Sequence, residues 1–183
     1  MFHSNTELLI DYWRSRKGLL LAPPRASIDP SDLAGLLPQV FILGRARPGE
    51  YVYRLVGGLV DDLHGGRLGG GDPLKVWAPA YRTALQLAFE AARRHPEPLV
   101  INAEGRTRGG QSVALEIAVA PLGGASGEID RLLGLYQPLS PVAALMGQRV
   151  ERLVVRGIAT AGARAFPRLK LAAVDGRQVA QRS

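Results

Sequence analysis

The strand-like segments of this sequence come in groups joined by tight turns, and this grouping constrains the fold more than any other feature. Two of them, "QVFILGRA" and "EYVYRLVG", flank a Pro48-Gly49 turn, which predicts a β-hairpin. Three more, "PLVINAEGRT", "SVALEIAVAPL" and "IDRLLGLYQPL", follow one another with glycine-containing turns between them. Consecutive strands joined by short turns pair antiparallel, so the sequence predicts an antiparallel sheet.

The helical patterns lie before and between these two groups of strands. The best of them, "APAYRTALQLAFEAARRHP", places Tyr81, Leu85, Ala88, Phe89 and Ala92 on one face, as an amphipathic helix requires. Shorter helical pieces, "LVDDLHG" and "DPLKVW", precede it, and "SNTELLIDYWRSRKG" opens the chain with capping-box spacing at Ser4 and Glu7. The predicted fold class is α+β, with helices over one face of the sheet and an N-terminal amphipathic helix that we expect to cover part of the other face.

Composition excludes several classes of protein and of site. The chain has 183 residues, 46% of them hydrophobic, and no cysteine, so a disulfide scaffold, a thiol nucleophile and a cysteine-ligated metal are excluded. Its longest apolar runs are too short to cross a bilayer. Glu7, Asp11 and Arg14 lie where a signal peptide would be apolar, and we therefore predict a cytoplasmic protein without a membrane span.

The net charge of +7 is concentrated at the C-terminus. Residues 142–183 contain eight Lys or Arg and two acidic residues, which gives that segment a charge of +6. A basic tail attracts nucleic acid, anionic lipid or an acidic protein surface, and it also keeps a protein soluble. The tail residues that we single out are Arg149, Arg152, Arg156, Arg164, Arg168 and Lys170.

The order of two strands, a helical segment and three strands resembles the PAS fold, which wraps a small central cleft. Five segments in sequence order are similar to single-domain PAS-like proteins of alphaproteobacteria: "LLIDYWRSRKG", "IDPSDLAGLLPQVFIL", "YRLVGGLVDDLHGGRLGG", "GRTRGGQSVALEIAVAPL" and "RLLGLYQPL". The resemblance covers residues 5–140 and implies a five-stranded antiparallel sheet. It departs at Gly58, where the family usually has Thr or Ser. It implies a sensory or protein-interaction module rather than an enzyme.

The resemblance also suggests which residues would form a cleft and a dimer contact. From strand alternation and helix phase we expect the cleft to be lined by Tyr53, Leu63, Trp77, Phe89, Leu115, Ile117 and Tyr136. Residues at these spacings are also typical of an ordinary core. The stripe of Leu9, Tyr12 and Trp13 packs either on its own domain or on a partner subunit, and flanking helices of PAS domains often pair. We therefore predict a homodimer through these residues.

The glycine cluster at residues 57–71 has two interpretations, a phosphate loop or a set of turns. A nucleotide-hydrolase loop ends in Gly-Lys-Ser/Thr, and a dinucleotide fingerprint lies between a parallel strand and a long helix. "GGRLGG" meets neither condition. Glycines that cap short helices and permit unusual backbone angles explain the pattern better.

No group of reactive side chains in the sequence has the spacing of a catalytic or metal site. Asp61, Asp62 and His64 form a short cluster that we interpret as surface residues. The long helix carries no histidine for a haem, and His95 follows its end. Flavin photochemistry of the light-sensing type needs a cysteine, and no serine lies near a histidine in a triad-like pattern. We therefore predict no enzyme activity and leave the cofactor open.

We divide the chain into a helix at residues 1–20, a PAS-like core at 21–140 and a basic, partly flexible extension at 141–183. The predicted function is a non-enzymatic regulatory module that binds a protein partner and is gated by a small ligand in the cleft. Two alternatives stay open. One is a carrier of flavin, haem or another metabolite; the other is binding of nucleic acid or an acidic partner through the tail.

Overall fold

The structure is a computed structural model, and it describes residues 1–161, 172–174 and 177–179. Its helices and strands are α1, Ser4–Lys17; β1, Val40–Arg47; β2, Glu50–Val56; α2, Gly58–Leu63; α3, Pro79–Arg94; β3, Leu99–Arg106; β4, Ser112–Gly123; β5, Ile129–Pro138; β6, Arg152–Thr160; β7, Ala172–Val174; and β8, Arg177–Val179. Short 3₁₀ segments are Arg25–Ser27, Pro30–Gln39, Pro73–Val76 and Val142–Leu145.

The main sheet has six antiparallel strands in the order β2-β1-β5-β4-β3-β6. The predicted hairpin is present, with Gly49 at φ +77° in the turn between β1 and β2. The predicted antiparallel sheet with covering helices is confirmed, but it has one strand more than the five expected. That strand, β6, pairs with β3 from Leu99 opposite Thr160 to Arg106 opposite Arg152.

Helices cover both faces of the sheet. We call the face under α2, the 3₁₀ segment Pro73–Val76 and α3 the inner face, and the face under α1 the α1 face. Along β4, Leu115 and Ile117 belong to the inner core while Ala118 and Ala120 belong to the α1 core. This alternation follows from the twofold side-chain period of a strand.

The α1 helix is held on the sheet by apolar packing and by one buried hydrogen bond. Leu9 and Trp13 are almost completely buried in the α1 core, and Trp13 Nε1 donates to the Pro121 carbonyl at 2.6 Å. The expected cap at Ser4 is wrong, because His3 caps the helix by accepting the Asn5 N–H at its Nδ1. The end at Gly18, with φ +53°, is as predicted.

The C-terminal part of the chain is described only in part. β6 and the 3₁₀ segment Val142–Leu145 belong to the region that we predicted as an extension, so part of that extension completes the main sheet. β7 and β8 pair as a separate two-stranded ribbon. The predicted tail residues Arg164, Arg168 and Lys170, and the flexibility expected of that part of the tail, lie outside the described residues.

Candidate functional site: a polar group inside the inner core

All seven residues that we predicted to line a cleft lie in one cluster on the inner face. Each is at most 4% exposed, and they pack together with side chains from β1, β3 and β6. The cluster therefore contains Tyr53, Leu63, Trp77, Phe89, Leu115, Ile117 and Tyr136. Their contact with a ligand stays a prediction.

Two tyrosine hydroxyl groups form a polar pair inside this apolar cluster. Tyr53 on β2 and Tyr136 on β5 share a hydrogen bond, and the Phe41 ring lies edge-on to both, with centroid distances of 5.9 and 5.5 Å. Burial raises the pKa of both phenols well above the ordinary value. Both hydroxyl groups therefore keep their protons at neutral pH and act as neutral hydrogen-bonding groups.

His64 completes the polar group. The residue is half-buried with an enclosed Nε2, and is not the surface residue that the sequence suggested. Its ring lies edge-on to Tyr136 at a centroid distance of 5.9 Å. Its Nδ1 lies 3.2 Å from the Val150 carbonyl oxygen, while its Nε2 is buried and has no partner in the described part of the chain. Helix phase could have indicated this, since His64 follows Val60 by four residues on the buried side of α2.

The carbonyl partner determines which ring nitrogen of His64 is protonated. A carbonyl oxygen only accepts hydrogen bonds, so Nδ1 carries the proton and Nε2 presents a lone pair. Burial lowers the pKa of His64 to about 4, although the bond to Val150 acts in the opposite direction. The imidazole is thus neutral at pH 7, with one unused acceptor inside the core.

The glycine-rich segment that follows His64 covers the edge of β2. Gly65, Gly66 and Gly70 have positive φ angles of 75 to 86°. The N–H of Gly70 donates to the Tyr53 carbonyl, and the Gly71 carbonyl accepts from the Tyr53 N–H. The described glycines therefore serve the backbone geometry of a turn that protects a strand edge, in agreement with the structural interpretation.

A second segment, residues 139–151, crosses the same region on its way from β5 to β6; we call it the strap. Leu145 and Val150 belong to the inner core. The Val150 N–H donates to the Leu63 carbonyl at 2.7 Å, and the Val150 carbonyl accepts from His64. The end of α2 and the strap are therefore joined by two hydrogen bonds, one at Leu63 and one at His64.

The predicted dimer residues do not share one surface. Leu9 and Trp13 pack against the sheet of their own chain. Tyr12 is half-buried, and its hydroxyl donates to Asp32 Oδ2 at 3.1 Å and accepts from the Asp29 N–H. A dimer through α1 would have to use its outer side, where Leu8 is exposed.

The basic residues of the extension that the structure describes lie at separate positions. Arg149 packs beside Gly65, Arg152 is exposed at the start of β6, and Arg156 forms an ion pair with Glu104 on β3. Glu104 also accepts from Arg106 at 2.9 Å. These three arginines therefore do not converge on one site.

Two other kinds of site, a membrane-spanning helix and a metal centre, are absent from the part of the chain that the structure describes. None of the described helices combines the length and apolar character that a bilayer crossing requires. Within residues 1–161 and the two short strands beyond them, no three His, Asp or Glu side chains come together as metal ligands. Surface cavities of about 330 and 210 Å³ lie away from the inner core.

Comparison with solved structures gives only distant likenesses. The LOV protein of Rhodobacter sphaeroides has 12% identity and a TM-score of 0.47, over 64% of this chain and 72% of that one. A light-oxygen-voltage domain studied with a flavin analogue has 13% identity and a TM-score of 0.48, over 63% and 87%. VqmA bound to DPO has 15% identity and a TM-score of 0.47, over 62% and 58%.

Comparison with protein families gives a direct match. No protein of curated function matches the sequence, but a family model described as a PAS domain matches residues 1–137. The matched region holds α1, the five strands β1 to β5 and the helices between them. The family expected from the sequence is thus confirmed: this chain belongs to the PAS domain family.

Proposed function

We propose that this PAS domain is a non-enzymatic regulatory module that responds to a small molecule at the inner core and acts through a protein partner. The observation that supports it is the unpartnered Nε2 acceptor of His64 beside the Tyr53–Tyr136 pair. A buried polar atom without a partner costs about 1–3 kcal/mol, which a ligand with an N–H or O–H group would recover. The ligand class is therefore a small, mainly apolar molecule with a hydrogen-bond donor.

The strap supplies a route by which binding would alter the surface. A ligand at His64 Nε2 needs space, and side chains of the packed cluster have to move to provide it. Movement of the end of α2 strains the Leu63 and His64 hydrogen bonds to Val150. The strap leads directly into β6, so a change at His64 would reach an edge of the sheet where a partner protein or a second copy binds.

The chemistry of the cluster favours a binding role over catalysis. A catalytic imidazole usually has a carboxylate or a similar group that stabilises its charged form. His64 is oriented by a backbone carbonyl, and burial favours its neutral form. The two tyrosines have raised pKa values, which makes them poor acids and bases at neutral pH. We therefore propose that the module performs no reaction.

The carrier alternative uses the same cluster and is distinguished by one measurement. The full chain is purified without denaturation, its absorption spectrum is recorded and native mass spectrometry is performed. A visible absorption band or a tightly retained mass supports a resident flavin, haem or metabolite and contradicts the sensory proposal. The same spectra report whether the chain forms a homodimer.

The sensory proposal is tested by screening a metabolite library for a shift in thermal unfolding of the full chain. We expect a compound that stabilises the wild type and His95→Asn, whose exposed side chain lies after α3, but not His64→Asn. Asparagine retains a donor for the Val150 carbonyl and removes the Nε2 acceptor. Equal stabilisation of His64→Asn, or no active compound in the library, would contradict the proposal.

The nucleic-acid alternative is tested separately by removing residues 162–183, which leaves β6 and the strap intact. Loss of salt-dependent binding to DNA or RNA on this truncation would support a role of the basic tail. Unchanged binding, or no binding by the full chain, would contradict it.

A further inference from the structure

Three consecutive leucines are exposed in the connection between α1 and the 3₁₀ segment Arg25–Ser27. Leu19, Leu20 and Leu21 are 107%, 55% and 75% exposed. We call these three residues the leucine loop. Isolated exposed leucines are common, but a run of adjacent ones is typical of a surface that another apolar phase covers.

The backbone on both sides of the leucine loop is anchored to the domain. On one side the Gly18 N–H donates to the Arg14 carbonyl and the Leu20 N–H donates to the Lys17 carbonyl. On the other side Ala22 is buried in the α1 core, and the Gly123 N–H donates to the Pro23 carbonyl at 2.9 Å. The leucine side chains therefore project from a defined base.

Cations flank the leucine loop on both sides. Residues 12–28 contain four basic residues and no acidic one. Arg14 and Arg16 form ion pairs with acidic residues outside that stretch. Lys17 and Arg25, the two nearest to the loop, have no acidic partner in the described chain: Lys17 Nζ lies over the Trp13 ring, and Arg25 donates to a backbone carbonyl.

We propose that the leucine loop inserts into the surface of an anionic bilayer and binds this PAS domain to it as a peripheral protein. Apolar side chains enter the boundary between headgroups and acyl chains, while neighbouring cations contact anionic headgroups. A projecting apolar loop flanked by unpaired cations matches both requirements. A neutral protein groove would bind the leucines but would gain nothing from Lys17 and Arg25.

The test measures co-sedimentation of the full chain with vesicles of phosphatidylcholine alone or with about 30% phosphatidylglycerol. We expect binding to the anionic vesicles that weakens as salt is added. Changing all three leucines of the loop to Gln should reduce the partition coefficient by about tenfold or more. The matched control is Leu87→Gln, because Leu87 is 66% exposed on α3 and its substitution should leave binding unchanged.

A second pair of variants tests the cations. Lys17→Gln with Arg25→Gln should reduce binding to the anionic vesicles severalfold, whereas Arg47→Gln with Arg108→Gln, exposed at the end of β1 and in the turn after β3, should not. The proposal is overturned if neither kind of vesicle binds the chain. It is also overturned if the leucine variant binds as well as the wild type, which would assign binding to another segment. A dimer that dissociates on leucine substitution, without vesicle binding, would identify a second copy as the occupant.

Discussion

The buried imidazole of His64 makes a specific prediction about stability and pH. Its pKa is lowered from 6.5 to about 4 in the folded chain, mainly by burial. Between these two values the unfolded chain binds a proton that the folded chain does not, so folding stability rises with pH. The contribution of neutral His64 is fully present above about pH 6.5 and is lost as the pH falls toward 4.

The size of the change in the free energy of unfolding follows from the difference between the folded and unfolded pKa values of His64. Between about pH 7.5 and about pH 5, a shift of this size lowers the free energy of unfolding by about 2 kcal/mol. Carboxylates add little in this range. Glu104, for example, has a pKa that hydrogen bonds from Arg106 and Arg156 hold below the usual 4.5, so its ion pairs lose their stabilising effect only at lower pH.

The assay is urea denaturation at the two pH values, followed by the fluorescence of the two tryptophans, Trp13 and Trp77. His64→Asn keeps a donor for Val150 but does not titrate, so its stability should be nearly independent of pH over this range. The control His95→Asn should retain the dependence of the wild type. The reasoning is refuted if wild type and His64→Asn lose the same free energy on acidification.

Four further predictions concern packing and one buried hydrogen bond. Leu9→Ala should lower the free energy of unfolding by about 2–5 kcal/mol at every protein concentration, because Leu9 is buried in its own chain; a concentration-dependent loss would instead indicate a dimer contact. Gly134→Ala should destabilise the protein by about 3 kcal/mol or more, because its Cβ would collide with a phenylalanine ring. Gly58→Ala, which has open space around the new Cβ, should be neutral or stabilise α2 by about 0.5–1 kcal/mol; urea denaturation distinguishes these outcomes. Tyr136→Phe leaves the Tyr53 hydroxyl without its partner and should cost about 1–3 kcal/mol; a loss below the error of the urea measurement would contradict that hydrogen bond.

Much of the fold could be predicted because its signals are local. The amphipathic pattern of "APAYRTALQLAFEAARRHP" predicts α3, which the structure places within that segment at Pro79–Arg94. The Pro48-Gly49 turn identified the first hairpin. Alternation along β4 correctly placed Leu115 and Ile117 on one face and Glu116 on the other. Leu115 and Ile117 lie on the inner face, and Glu116 accepts a hydrogen bond from the His3 N–H on the α1 face. Each of these signals lies within a few residues of the structure it specifies.

The missed features depend on contacts between distant parts of the chain. His64 resembles a surface residue beside two aspartates, and its Nδ1 contacts the Val150 carbonyl of the strap, 86 residues away. His3 rather than Ser4 caps α1, where the chain also bonds to Glu116. The segment "PVAALMGQRVERLVVRGIAT" predicts a short helix and one more strand, but the pairing of that strand with β3 depends on which strand edge is free after the meander has formed.

By itself the sequence determined the antiparallel α+β class, the helix and strand periods and seven residues of the inner core. Only the tertiary structure shows which polar groups the inner core encloses. It also shows that Leu9 and Trp13 of α1 pack on the sheet of their own chain and that the leucine loop remains exposed. Periodicity reports the environment of a residue averaged along its own element. Burial of a single atom depends also on the distant segment that packs beside it. Helix phase indicates the side of α2 on which His64 lies, but no local signal indicates its contact with Val150.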